Sequence, residues 1–131
     1  MPRRVVLVGH CNFDGPRLEQ EIMSMPESPE VLRVNDEAAL LSVLDEGDNL
    51  LLVNREPVGF DEEGLDIVRD VHERFPNQPV MLVSDHADAQ EEAVAAGARP
   101  GFGKRDMGTA KLAEAVRREL NGSQHGREVR R

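Results

Sequence analysis

The chain has 131 residues, 39% of them hydrophobic and 31% charged, which is the length of one domain at ~150 residues per domain and the composition of a globular one with a genuine core. Twenty-five acidic residues against 16 basic ones leave a net charge of −9, and there are four Phe, no Trp and no Tyr. That excludes a basic face for nucleic-acid phosphates and an aromatic platform for bases, and leaves either an acidic solvated surface or a carboxylate pocket for a cation.

The first apolar run is Arg4-Val-Val-Leu-Val8, continuous rather than alternating, as in a strand covered on both faces of a parallel sheet. A turn follows over Gly9–Gly15. Pro16 suits a first helical turn, and the helix runs to about Met25, where Pro26 and Pro29 stop it. Val31–Val34 reads as a second strand. Asn35 can cap a helix from Asp36 to about Glu46 with Leu40, Leu41 and Leu44 on one face. Leu50–Val53 is a third strand, followed by a long loop, Asn54–Gly64. The next helix carries Leu65, Val68, Val71 and Phe75 at helical spacing and ends before Pro76. Val80–Val83 is a fourth strand. Asp85 or Asp88 starts a short helix ending at Gly97, and a weak fifth strand lies near Gly101–Gly103. The last helix spans about Thr109–Leu120 and stops at Asn121-Gly122. The reading is therefore one domain over residues 1–121 and a polar, disordered tail over 122–131. No apolar run is long enough to cross a bilayer. The four residues Val5–Val8 are too few for a signal-peptide core, and Cys11 is the single cysteine, so a cytoplasmic, reducing location is expected.

Five strand–helix units predict a doubly wound α/β fold, a five-stranded parallel sheet with helices on both faces. Ligands of such folds bind at the carboxyl ends of the strands. The segments that matter are thus Gly9–Asp14, Asn54–Pro57, Ser84–His86 and Gly101–Lys104.

Three stretches give the chain a family resemblance. Asn49-Leu-Leu-Leu-Val-Asn54 resembles a third strand ending in a phospho-acceptor. Pro79-Val-Met-Leu-Val-Ser84 resembles a fourth strand ending in a small hydroxyl residue. Gly97-Ala98 followed by Lys104 resembles a Gly-Ala segment and a lysine after a short strand. In this order and spacing they resemble the receiver domain of two-component response regulators, the CheY-like fold, over about Arg4–Leu120. The resemblance implies the flavodoxin-like strand order 2-1-3-4-5. It also implies a chemistry in which an Asp attacks a phosphoryl group, acids after the first strand hold Mg²⁺, and a lysine and a hydroxyl bind the phosphoryl oxygens.

Half of that apparatus is present. Ser84 and Lys104 stand at the hydroxyl and lysine positions. The acceptor position holds Asn54, and the acidic pair is replaced by Gly9 and His10. The switch aromatic falls on Gly101, and Arg105 follows the lysine in place of the family's proline. An amide carries no charge and is a far weaker nucleophile than a carboxylate, so no aspartyl-phosphate forms at Asn54. The resemblance is therefore to a degenerate receiver, or pseudo-receiver: not an enzyme, without a cofactor, and acting by protein–protein contact independent of phosphorylation. The resemblance implies as expected partner a signalling protein or a second copy, met through the face of the last two helices, Ala89–Val94 and Lys111–Arg118; neither nucleic acid nor a membrane is expected.

The blander reading of the remaining polar residues comes first. Ser84 satisfies local backbone. Lys104 bonds Asn54 or a backbone carbonyl, with Asp85 or Glu56 supplying counter-charge. Asp61-Glu62-Glu63 is a solvated lead-in to a helix N-terminus. The sharper alternative is a small-ligand or transition-metal sensor, with His10, Cys11 and His86 as soft ligands beside Asp14 or Asp85. Against it, the side chains of the neighbours His10 and Cys11 diverge, and the spacing matches no established zinc pattern.

Overall fold

The computed structural model describes residues 4–130, with side chains to residue 121. The strands are β1 (Arg4–Val8), β2 (Glu30–Val34), β3 (Asn49–Asn54), β4 (Val80–Val83) and β5 (Arg99–Phe102). They alternate with α1 (Asp14–Met23), α2 (Glu37–Glu46), α3 (Gly64–Arg74), α4 (Ala87–Ala95) and α5 (Ala110–Arg130), and a short 3₁₀ turn, Lys104–Asp106, precedes α5. All pairings are parallel and the sheet order is β2-β1-β3-β4-β5, the doubly wound order expected. No helix among the described residues is long and apolar enough to cross a membrane.

The continuous apolar strands are explained by two cores, because successive side chains of a strand point to opposite faces. Val6, Val8, Leu51, Val53, Val80 and Leu82 face a cluster completed by Leu40, Val43, Leu44, Ile67, Val68, Val71 and Ala93 of α2, α3 and α4. Val5, Leu7, Leu50, Leu52, Met81 and Val83 face the opposite cluster, completed by Leu18 and Ile22 of α1, Phe102 of β5, and Leu112, Ala115, Val116 and Leu120 of α5. Every residue of β3 is buried, so the central strand fixes where both helical layers sit.

Several boundaries differ from the sequence reading. The cap of α2 is Asp36, whose carboxylate accepts the Ala39 N–H at 2.8 Å, one residue beyond Asn35. His86, rather than Asp85 or Asp88, occupies the N-cap position of α4, and its side chain makes no capping bond. β5 starts at Arg99, two residues before the expected Gly101. Pro100 and Gly101 conceal it, since both weaken strand signals and are tolerated here only because β5 is an edge strand. α5 continues to Arg130, past the stop expected at Asn121-Gly122. An internal glycine costs about 1 kcal/mol of helix propensity but leaves the backbone bonds intact. The tail expected over 122–131 thus continues the helix backbone to residue 130, and its last residue lies outside the described ones.

Because Leu51 is fully buried at the centre of the sheet, Leu51→Ala is expected to cost ~2–5 kcal/mol, measured by urea denaturation. A loss below ~1 kcal/mol contradicts the packing described.

Candidate functional site at the strand carboxyl ends

Gly9, the first residue after β1, has φ +72°, a left-handed conformation favoured by glycine. Its N–H donates to Val34 O at 2.9 Å, and its carbonyl accepts from Val58 N at 2.8 Å. A side chain here is also excluded by packing: a Cβ on Gly9 would lie 2.4 Å from Pro57 Cβ. The loop between β3 and α3 is therefore folded down onto the end of β1, and Pro57 is buried against it.

Asn54 ends β3 and is buried. Its Nδ2 donates to the Gly9 carbonyl and to the Glu56 carbonyl, both at 3.0 Å. Two carbonyl oxygens can be matched only by the donor end of an amide, which fixes the orientation of the group. A carboxylate at this position would face the same two oxygens with no proton to offer. Behind Asn54, Gly64 approaches so closely that a Cβ would lie 2.3 Å from the Asn54 carbonyl oxygen.

His10 points inward, 1% exposed, and its Nε2 lies 2.9 Å from the Leu52 carbonyl. That carbonyl requires Nε2 to carry a proton and donate it, which in the neutral ring leaves Nδ1 as the acceptor. Its Nδ1 has no hydrogen-bond partner among the described residues. Burial, reinforced by the nearby Lys104 and Arg33 charges, lowers its pKa from 6.5 to about 4 against the opposing effects of the Leu52 bond and Asp14.

The carboxylate that meets Lys104 at this end of the sheet is Asp14, in the first turn of α1. The Cys11 carbonyl accepts the Gly15 N–H at 2.8 Å, and Cys11 Sγ accepts the Asp14 N–H at 3.3 Å, so Cys11 stands in for the usual side-chain cap. Asp14 Oδ2 then accepts hydrogen bonds from the Cys11 S–H at 3.5 Å and from the Lys104 ammonium at 2.9 Å. The lysine bond, with the Cys11 and Arg17 contributions behind it, holds the Asp14 pKa below its ordinary value despite partial burial. The counter-charge of Lys104 is thus Asp14, and not Asp85 or Glu56 as the sequence reading has it. Asp85 is otherwise engaged, since its Oδ1 accepts the Arg105 N–H at 3.0 Å. Glu56 lies beside Arg55 at 3.8 Å. Asp14 arrives from the first turn of α1, carried over the sheet end by the turn Gly9–Phe13.

Ser84 Oγ accepts the His86 N–H at 3.1 Å, as a strand-end hydroxyl does. Gly101 lies beneath α4, where a Cβ would come within 2.3 Å of the Leu82 carbonyl oxygen. No cis peptide occurs among the described residues, the Lys104–Arg105 bond included. The three soft ligands are not brought together: His10 is buried on Leu52, Cys11 is bonded to Asp14, and His86 is exposed at the start of α4. Among the described residues no three His, Cys, Asp or Glu side chains form a group able to hold a metal ion. An open groove of about 330 Å³ lies elsewhere, between α1 (Arg17, Gln20, Glu21, Ser24) and Met107–Gly108. The Asp61–Glu63 acids are exposed, as expected of a solvated loop. There Glu62, although exposed, has its pKa raised by slight desolvation and by the charges of Asp70, Glu37, Asp66 and Asp61.

The sequence reading missed two participants. Pro57 lies within a strand-end segment of the sequence, but nothing in the sequence marks it as the cover of Gly9. Gln90 of α4 carries no motif, yet its side-chain amide bonds backbone of both β4 and β5. Only spatial proximity reveals either.

These features define a receiver fold. NtrX from Brucella abortus matches with a TM-score of 0.77 at 22% identity, over 98% of this chain and 29% of that one. A CheY-like response regulator receiver domain protein from Methanospirillum hungatei matches with a TM-score of 0.71 at 18% identity, over 96% and 99% of the two chains. The beryllofluoride-activated NtrC4 receiver domain dimer matches with a TM-score of 0.65 at 15% identity, over 78% and 84%. The chain therefore spans under a third of the NtrX chain and nearly all of the Methanospirillum hungatei chain. No protein-family model and no curated protein matches the sequence.

Two outcomes test this geometry. His10 is neutral in the fold but titrates near 6.5 when unfolded, so the unfolded state binds more protons below that pH. Stability is full above pH 6.5 and falls progressively towards pH 4, by up to about 3 kcal/mol for the full shift. Urea titrations at pH 7.5, 5.5 and 4.5 should show the fall in the wild type and a smaller one in His10→Gln. Asn54→Asp is expected to cost ~1–3 kcal/mol at pH 7.5 and less at pH 5. The two carbonyls favour the protonated acid, so the cost grows as pH rises above ~4. An Asn54→Asp variant as stable as the wild type at pH 7.5 contradicts the amide assignment.

Proposed function

We propose that this chain is a degenerate response-regulator receiver, a signalling module that works without phosphorylation and without an enzymatic step. The observation carrying the proposal is the amide of Asn54, both of whose donors are spent on the Gly9 and Glu56 carbonyls. Phosphoryl transfer to a side chain needs an unprotonated nucleophile and a cation to neutralise the phosphoryl oxygens. At the strand ends the acceptor position is a bonded amide, the position of one acid is a glycine under Pro57, and that of the other is a buried neutral imidazole. Of the carboxylates at this end, Asp14 is already bonded to Lys104 and Asp85 to the Arg105 N–H. Lys104 and Ser84 serve here as structural ties rather than as phosphoryl ligands.

Function then rests on protein contact. The proposed surface is that of α4 and α5, Ala89–Val94 and Lys111–Arg118, meeting a signalling protein or a second copy of the chain, in the cytoplasm. Val94 supplies an exposed apolar side chain on it, 44% accessible. The sensor alternative has less support, because its metal ligands are held apart and the 330 Å³ groove includes none of Asn54, Ser84 or Lys104.

The test is an NMR titration with Mg²⁺ and beryllofluoride, with mass measurement after incubation with acetyl phosphate. The amides of Gly9, Asn54, Ser84 and Lys104 are expected to show no saturable shift, and the mass no phosphoryl gain. A saturable shift at these positions, or stoichiometric phosphorylation, overturns the proposal.

A further inference from the structure

The attachment of α4 to the sheet differs from that of the other helices. α3 buries Ile67, Val68 and Val71, whereas α4 buries only Ala93, with Ala89 and Ala96 partly packed on the same core. A helix held by a few methyl groups has little apolar area to fix its position, and such elements open at low free energy. Its neighbour β5 is irregular as well. Met81 pairs with Arg99 and Val83 with Phe102, so two steps along β4 are matched by three along β5. The extra residue falls at Pro100-Gly101, where the ladder is broken as in a β-bulge, and Pro100 has no N–H to offer.

The side chain of Gln90 fills this break. Its amide nitrogen lies 2.9 Å from Leu82 O, 3.1 Å from Ser84 O and 3.2 Å from Phe102 O, and its Oε1 accepts the Gly101 N–H at 3.3 Å. One carboxamide thus presents its donors and its acceptor to the backbone of both β4 and β5, as a missing residue of the ladder would. Gly101 is also the position with no room for a side chain: besides the Leu82 carbonyl, a Cβ there would meet Gln90 Oε1 at 3.2 Å.

We infer that Gln90 is a polar clamp that holds α4 and the bulged strand β5 in one arrangement, so that the α4–β5 face is presented in a single conformation. Gln90 is a positioning residue: it fixes a surface and touches no ligand. The inference stands on Gln90 and the bulge alone, independently of whether Asn54 accepts a phosphoryl group.

The experiment combines native-state hydrogen exchange with ¹⁵N relaxation dispersion on the wild type, Gln90→Leu and Gln90→Glu. In the wild type the Gly101 amide is expected to exchange within about tenfold of the β4 amides, and residues 84–103 to show flat dispersion profiles. Gln90→Leu keeps the bulk but no donor, and Gln90→Glu turns a carboxylate on three carbonyls. Both should speed Gly101 exchange at least tenfold and introduce dispersion confined to residues 84–103, with β1, β3 and the Asn54 amide unchanged. A merely structural role would instead lower protection throughout the domain in parallel. The inference is overturned if wild-type Gly101 exchanges at the rate of a free amide, a result that holds even if both variants fail to fold. It is equally overturned if Gln90→Leu folds and leaves exchange and dispersion of residues 84–103 as in the wild type. A beryllofluoride response in the wild type would sink the phosphorylation-independent reading while leaving these outcomes as they stand.

Discussion

The carboxyl end of this sheet depends on the Gly9 carbonyl and the two donors it accepts. Val58 N–H and Asn54 Nδ2 converge on that one oxygen, which draws the loop between β3 and α3 across the end of β1. The positive φ of Gly9 turns the carbonyl to meet them, and the missing Cβ lets Pro57 settle on its Cα. Each choice requires the others. A side chain at position 9 would lift Pro57, and an acid at position 54 would offer no donor to the carbonyl. The pocket is closed by short-range backbone chemistry rather than left as an open cleft that happens to lack ligands.

With that closure in place, the charges rearrange around it. Lys104 remains at the end of the loop after β5, where an ammonium needs a partner, and the nearest carboxylate comes from a helix. Asp14 can take the role because the turn before α1 is capped by Cys11 through its sulfur and its carbonyl, which places the first helical residue over the sheet end. The same neighbourhood explains His10. A buried imidazole beside an ammonium and a guanidinium is held neutral by its surroundings, and a neutral ring can donate to Leu52 O where a carboxylate could not. The surplus of nine negative charges contributes little here and lies mainly on helix surfaces and on the Asp61–Glu63 loop.

The far edge of the sheet follows a different logic. Where β3 is secured by burial on both faces, β5 is a bulged edge strand carrying a proline, and α4 above it has few apolar contacts. A single amide compensates for both weaknesses. The rigid centre thus rests on hydrophobic burial, whereas the α4–β5 edge adds to the buried Phe102 and Ala93 and the Ser84 N–H to Phe102 O bond one set of side-chain bonds from Gln90, which a single substitution can remove.

The sequence by itself determined the five strands, the helices between them, the doubly wound parallel class and the residues at each strand end. These follow from local information: continuous Val and Leu runs, helical spacing of apolar residues, and Gly or Pro at the breaks. It also located Gly9, His10, Asn54, Ser84 and Lys104 at the site, since strand ends are fixed once the strands are. What only the tertiary structure decided is which partner each of these groups takes. Asp14 rather than Asp85 meets Lys104, Pro57 rather than solvent covers Gly9, and Gln90 rather than a ladder bond meets Gly101. The start of β5 was hidden for the same reason, because Pro100 and Gly101 argue locally against a strand that pairing with β4 nonetheless imposes. Hydrophobic period is a property of neighbours along the chain. The bond from Asn54 to Gly9 and the ion pair of Lys104 with Asp14 join residues far apart in sequence, and they depend on angles and distances that exist only once the sheet has formed.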